Sequence, residues 1–132
     1  VLMFQKEVAD RITAELNTSN YGRLSIICNW KLKINKICDI KPSSFSPKPK
    51  VDSSLLFLKP KKNFPQFKDP KNLEKITRVF FNQRRKKIKK PFKVLFNDNT
   101  KILNKTKIDL NLRPHNLKQD IYYELTQEYE KL

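Results

Sequence analysis

Glycine is almost absent from this sequence, and its scarcity excludes several nucleotide-binding motifs. Gly22 is the single glycine in 132 residues. One glycine cannot build the G-x-G-x-x-G turn of a dinucleotide site or the phosphate-binding loop of a P-loop protein. The residues present therefore offer no glycine-rich cradle for a nucleotide.

Cysteine and histidine are also scarce, which limits disulfide and metal chemistry. Cys28 and Cys38 are the only cysteines, and His115 is the only histidine. Two thiols make neither a disulfide framework nor a zinc site. We interpret both as buried, reduced thiols in neighbouring strands, we predict no metal site, and we assign no role to His115.

Long apolar runs and acidic residues are the other two shortages. No stretch approaches the ~20 apolar residues of a membrane span, and charged side chains within residues 1–11 are unlike a signal peptide. We therefore expect a cytoplasmic protein without a membrane partner.

Lys and Arg outnumber Asp and Glu 29 to 13, for a net charge of +16. Such a field favours a polyanion, nucleic acid before an anionic membrane surface.

The first 60 residues have the pattern of an α/β sheet. An apolar, strand-like run over 1–4 is followed by apolar residues at helical spacing over 8–16. The segment 23–40 is rich in β-branched residues and is predicted as one long strand or a strand pair, and 53–60 as a further strand. Strand, helix, strand, strand is the closing portion of an α/β sheet, so we expect the opening portion to be missing.

The remaining residues have the pattern of a small helical domain. Asp69, followed by a proline, is a suitable start for a helix. That helix is predicted to end or kink at Pro91, because an interior proline costs ~3 kcal/mol. A short helix is predicted around Ile102, and a last helix with Asn116 as its cap. The predicted domains are 1–60 and 61–132.

Cations are concentrated in the segment 84–93. Seven of its ten positions are basic: Arg84, Arg85, Lys86, Lys87, Lys89, Lys90 and Lys93. No acid between Glu74 and Asp98 provides i,i+4 compensation. The run fits a solvated helix face, but a phosphate backbone explains the missing counter-charge better. If four of the cations met phosphates, log K would fall against log salt with a slope of about −3.6.

Three prolines surround one phenylalanine in the segment 42–54, PSSFSPKPKVDSS. Prolines fix φ and remove backbone donors, so this proline arm is expected to be stiff and extended. It carries Phe45 together with Lys48 and Lys50. From the residues alone, Phe45 is either a ring presented at the surface or a core residue at the domain boundary.

Five blocks of this sequence resemble a known family in the same order: FQKEVADRI, YGRLS, FSPKPKVDS, FNQRRK and LRPHNL. They are similar to blocks of the bacterial small-subunit ribosomal RNA adenine dimethyltransferases, and the resemblance extends from Leu2 to the last helix. It implies the C-terminal part of a Rossmann-like methyltransferase sheet followed by a small all-helical domain. It also implies methyl transfer from S-adenosylmethionine to two adjacent adenines near the 3′ end of small-subunit rRNA, by an enzyme we expect to be monomeric.

The resemblance also implies roles for individual residues. Phe45 would stack on the target adenine, which must leave its own stack to react, and Pro47 and Pro49 would stiffen the arm that holds it. Lys48 and Lys50 would meet flanking phosphates. The remaining candidate rRNA contacts are Arg84, Arg85, Lys86, Lys87 and Arg113.

Other motifs of the family have no counterpart in the chain. The glycine-rich cofactor loop, the ribose-binding acid and the N-[IL]-P-[FY] turn precede the region that corresponds to Val1. We therefore expect this chain by itself neither to bind S-adenosylmethionine nor to methylate RNA. The alternatives are a non-catalytic RNA-binding module of similar fold, or a large-subunit rRNA methyltransferase of the macrolide-resistance type.

Overall fold

The structure, a computed structural model, describes residues 1–47 and 50–132. Lys48 and Pro49 of the proline arm lie outside the described residues. The chain forms a small antiparallel sheet and several helices, which confirms the predicted α/β class.

The sheet has three strands, β1 (Leu2–Gln5), β2 (Leu32–Ile40) and β3 (Ser53–Pro60), in the order β1-β3-β2. Gln5 and Ile40 both lie opposite Ser53 in the register. The ends of β1 and β2 therefore meet the start of β3 at one edge of the sheet, where the proline arm leaves and returns.

Helix α1 (Lys6–Ile12) covers this sheet through a small core of Ala9, Ile12 and Leu56. The predicted helix extended to Leu16, but the observed one ends at Ile12, and Asn17 adopts a positive φ of 72°. Asparagine tolerates this left-handed conformation, so the chain can turn here.

The segment 23–40 was predicted as strand, but only its second part forms one. The helix α2 (Arg23–Cys28) precedes β2. Burial decides this difference: Ile26 is fully buried in the helical core, and the Ser25 hydroxyl donates to the carbonyl of Arg11. Tertiary packing outweighs a modest strand propensity. Cys28 is consequently a half-buried helical residue and Cys38 an exposed strand residue, so the prediction of two buried strand thiols was wrong.

The helical half contains α3 (Lys71–Phe81), α4 (Lys89–Phe96), α5 (Thr100–Thr106) and α6 (Gln119–Glu130). The structure confirms the short helix around Ile102 and shows Asp69 accepting a hydrogen bond from the Lys71 N–H (3.0 Å). Pro91 was predicted to end or kink a long helix, but it lies in the first turn of α4. Its missing N–H costs nothing there, because first-turn N–H groups have no intrahelical partner.

Asn116 was predicted to cap the last helix, α6, but it ends a 3-10 turn over Pro114–Asn116 instead. Its side-chain oxygen accepts from the Arg113 N–H at 2.9 Å, and its amide nitrogen donates to the Asn17 side chain at 3.0 Å. Asn116 therefore joins the turn before α6 to the turn after α1.

The main core draws on both sides of residue 60. Tyr21 and Ile26 are buried with residues of α3, α4 and α6, and the Tyr21 hydroxyl donates to the Leu117 carbonyl at 2.6 Å. The Tyr123 hydroxyl likewise donates to the Ile26 carbonyl at 2.6 Å. The segment around α2 is thus fixed to the helices. In the described part of the chain, none of the helices is long and apolar enough to cross a membrane.

Glu130 at the end of α6 fixes the start of α3, and we expect this contact to depend on pH. Its carboxylate accepts from the backbone N–H groups of Lys68 and Asp69 (both 2.9 Å) and from the Asn72 side chain (2.8 Å). Burial alone would raise the pKa of Glu130, but these hydrogen bonds outweigh it and lower the pKa. The stabilisation should therefore be complete above the unfolded pKa near 4.3 and be lost as pH falls from there through the lower folded pKa.

Chemical denaturation at pH 7 and pH 3 tests this expectation. Glu130→Gln should lower the free energy of unfolding at pH 7 and lower it less at pH 3. Glu15→Gln is the matched control, since the exposed Glu15 carboxylate has no hydrogen bond among the described residues. An equal loss at both pH values would show that the charge of Glu130 is not what stabilises the contact.

Candidate nucleic-acid interface

The proline arm is anchored at both ends to the edge of the sheet. It leaves β2 through a 3-10 turn at Pro42–Ser44, where the Phe45 N–H donates to the Pro42 carbonyl at 3.1 Å. It returns beside α1, where the Lys6 N–H donates to the Asp52 carbonyl at 2.9 Å. Short anchored ends limit the freedom of the ring between them.

The predicted arm residues differ in exposure. Phe45 is half-buried, whereas Pro47 and Lys50 are exposed. The predictions for Lys48 and Pro49 concern positions outside the described residues. Phe45 belongs to neither of the two core clusters in the described part of the chain. Its ring is therefore partly available to a ligand.

A polar network that sequence analysis missed lies at the base of the arm. The Ser54 hydroxyl donates to the Asp39 carboxylate at 2.6 Å, and the Lys36 ammonium lies 2.7 Å from the same carboxylate. The hydrogen bonds from Lys36 and Ser54 lower the pKa of Asp39. Ser54 and Asp39 face each other in the register, so the network stabilises the pairing of β2 with β3 where the arm begins. Only the strand register shows this pair, which explains why sequence patterns did not reveal it.

A cleft of about 420 Å³ opens beside the return of the arm. Gln5, Asn20, Lys50 and Val51 contribute to it, together with both acids and a lysine of α1. Its mixture of charges makes it a poor phosphate site but leaves polar groups near the arm.

The segment predicted as a basic helix is instead a turn followed by the start of α4. Arg84 points inward there: its guanidinium donates to the carbonyls of Thr18 (3.2 Å) and Tyr21 and lies 5.6 Å from the Phe81 ring centre. A Cβ on Gly22 would lie 3.1 Å from Nη1 of Arg84. The single glycine thus allows the close approach of this arginine.

Arg85, Lys86 and Lys87 point to the outside of the same turn and are exposed. Arg113 is also exposed, next to the 3-10 turn that contains His115. Burial lowers the pKa of His115, and the charges of Arg84 and Arg113 lower it further. The histidine is therefore neutral at pH 7 and adds no charge to the surface around the two arginines.

The structure thus places the sequence-predicted residues in two groups on different elements. Phe45, Pro47 and Lys50 lie on the arm at the edge of the sheet, and the exposed cations lie in the helical half. Arg84 is half-buried, and its guanidinium is held by intramolecular hydrogen bonds, unlike the exposed Arg85. Nothing in the local sequence distinguishes Arg84 from Arg85, since only the fold determines which one faces the Thr18–Tyr21 turn.

Comparison with known proteins gives consistent relatives. The family model described as ribosomal RNA adenine dimethylase matches residues 1–131. The ribosomal RNA small subunit methyltransferase A of Pelagibacter ubique is 64% identical over 132 residues, which is 100% of this chain and 50% of that protein. The protein of the same name from Ehrlichia ruminantium is 47% identical over 118 residues, 88% of this chain and 44% of that protein. The chain therefore spans about half the length of the curated relatives it matches.

Two solved structures share the fold. A dimethyladenosine transferase from Plasmodium falciparum superposes with a TM-score of 0.77 at 28% identity, covering 98% of this chain and 56% of that one. The 23S rRNA methyltransferase ErmE superposes with a TM-score of 0.60 at 16% identity, covering 98% and 53%. At that identity the second likeness shows the fold alone.

Proposed function

The chain belongs to the ribosomal RNA adenine dimethylase family, and we propose that the protein to which it contributes dimethylates two adjacent adenines near the 3′ end of small-subunit rRNA. The methyl donor would be S-adenosylmethionine and the amines would be the exocyclic ones. The observation that carries the proposal is the anchored proline arm with its half-buried Phe45 at the edge of the sheet.

The arm would hold the target base. An enzyme that modifies a base amine must take the base out of its stack and hold it against apolar faces. Phe45 offers one such face on a support fixed by the Lys6–Asp52 hydrogen bond and the Ser54–Asp39 pair. Lys50, and by sequence Lys48, would meet the flanking phosphates, while Pro47, and by sequence Pro49, would keep the arm stiff.

The helical half would bind the rRNA backbone. Arg85, Lys86, Lys87 and Arg113 are exposed cations on that half, and phosphate contacts of this kind supply affinity rather than sequence readout. We propose that residues 61–132 form the rRNA-binding domain and that residues 1–60 close the methyltransferase sheet. A cytoplasmic monomer would suffice for this work.

No residue of this chain is assigned to S-adenosylmethionine. The single glycine faces Arg84 rather than a ligand site, and the cleft beside the arm mixes three acids with two lysines. Neither place offers the glycine-rich turn that holds a nucleoside cofactor close to the backbone. Our proposal for the chain concerns the base and the RNA.

Methyl transfer by the full-length protein tests the proposed function. The protein would be incubated with labelled S-adenosylmethionine and with purified small or large ribosomal subunits, and the modified nucleosides would be identified by mass spectrometry. We expect dimethyladenosine at two adjacent positions of small-subunit rRNA. Methylation confined to large subunits would identify the macrolide-resistance type of enzyme, and RNA binding without transfer would leave a non-catalytic module.

A further inference from the structure

An open groove lies between the C-terminal half of α3 and the helix α4. Its volume is about 760 Å³, within the roughly 300–1,000 Å³ in which proteins hold drug-sized ligands. Six of the residues that line it are cations, which we call the rim: Arg78, Lys86, Lys87, Lys89, Lys90 and Lys93. Arg78 lies on α3 and Lys93 on α4, so both helices contribute positive charge to the groove.

The rim carries no internal counter-charge. No carboxylate lines the groove, and within residues 1–47 and 50–132 none of the six cations takes part in an ion pair. The N-terminus of α4 adds its positive dipole end and first-turn N–H groups without intrahelical partners. Six uncompensated cations around one groove fit an extended polyanion.

Three apolar residues, which we call the floor, also line the groove, and an electrostatic surface alone does not require them. They are Val79, Pro91 and Val94, and Val94 is 67% exposed. An apolar floor inside a cationic rim matches a nucleic-acid strand whose bases are not paired, because such a strand offers phosphates together with a free base face or ribose. A duplex keeps its bases stacked inside and would leave the floor uncovered.

We propose, resting on the proposed function, that this groove seats a single-stranded segment of the substrate RNA. The phosphates lie along the lysine rim, and one base or ribose covers Val79, Pro91 and Val94. The groove is carried by α3 and α4 rather than by the arm, so it fixes a second point of the RNA while Phe45 engages the target adenine.

Fluorescence anisotropy with the full-length protein tests the groove. The probes are a single-stranded RNA of about 12 nucleotides and the corresponding duplex. The double variant Lys90→Gln/Lys93→Gln should weaken single-strand binding about ten-fold near 0.15 M salt and flatten the salt slope by about 1.4. Lys71→Gln/Lys101→Gln is the control with equal charge loss, since both lysines are exposed helical residues outside the groove.

The floor has its own variant. Val94→Ser should weaken single-strand binding about five-fold through lost apolar contact and leave duplex binding unchanged, whereas Val94→Leu should retain the affinity. Because Val94 is largely exposed, neither change should affect folding.

Several outcomes would overturn the groove proposal. One is equal weakening by the groove and control lysine pairs, and another is Val94→Ser binding like wild type. A third is normal RNA binding by all variants combined with lost association to whole subunits, which would indicate an acidic protein partner. Methyl transfer by the unmutated protein separates this test from the proposed function. If the protein transfers methyl groups but the groove variants bind RNA normally, the groove proposal is wrong. If the groove variants bind RNA weakly but the unmutated protein transfers no methyl group, the proposed function is wrong.

Discussion

Replacing Phe45 by alanine in the full-length protein should slow methyl transfer strongly while leaving the affinity for small-subunit rRNA nearly unchanged. A base–aromatic stack contributes ~1–3 kcal/mol, which corresponds to a rate loss of roughly 5- to 150-fold if the stack is needed in the transition state. In the proposed function, the affinity for RNA would come mainly from cations elsewhere on the chain. Single-turnover methyl transfer and equilibrium binding, measured on the same preparation, give both quantities.

The structure also supplies a control for the opposing interpretation of Phe45 as a core residue. Phe45 is half-buried and belongs to neither described core cluster, so its loss should lower the free energy of unfolding by no more than about 1 kcal/mol. Phe45→Tyr retains an aromatic face and should retain most of the transfer rate. Unchanged transfer by Phe45→Ala would exclude the stacking role, and a large loss of stability would indicate a packing role instead.

Strand β3 shows how much of the fold the sequence could predict. The segment 53–60 was predicted as a strand and is observed as one, with Leu56 buried against α1, Leu58 packed partly beside it and Phe57 exposed. The carboxylate of Asp69 similarly accepts from the Lys71 N–H just before α3, the region where a helix start was predicted. Where local preference and tertiary burial agree, sequence patterns suffice.

The wrong predictions fall where local preference and tertiary contacts disagree. The β-branched residues of 23–28 favour a strand, yet Ile26 is buried in a helix whose carbonyl accepts from Tyr123. The helix predicted to reach Pro91 ends at Phe81, and beyond the turn the Ile88 N–H donates to the Leu112 carbonyl at 2.9 Å. Both contacts join residues far apart in sequence, which periodicity cannot detect.

The candidate site shows the same limit. The run of cations was visible in the sequence, but the groove around Val94 depends on the turn that separates α3 from α4. A single continuous helix would have spread these cations around its circumference. The turn instead brings Arg78 and Lys93 to one groove and directs Arg84 toward the interior.

Arg84→Ala should therefore affect mainly stability, and Arg85→Ala mainly RNA binding. The two arginines are neighbours, and both are candidate RNA contacts by sequence. Arg84 donates to the carbonyls of Thr18 and Tyr21 and lies over the Phe81 ring. Charged hydrogen bonds of this kind contribute about 1.5–3 kcal/mol, so Arg84→Ala should lower the free energy of unfolding by about 2 kcal/mol. Arg85 is exposed, and Arg85→Ala should leave stability within about 0.5 kcal/mol but weaken rRNA binding and flatten the salt slope by about 0.9.

Chemical denaturation and salt-dependent binding of both variants decide the matter. Arg84→Lys is the informative third variant, since it keeps the charge but loses the planar fork that reaches two carbonyls. It should be nearly as unstable as Arg84→Ala while binding RNA like the unmutated protein. If Arg84→Ala were fully stable and flattened the salt slope as much as Arg85→Ala, Arg84 would be a phosphate contact after all. The turn before α4 would then present both arginines to the RNA.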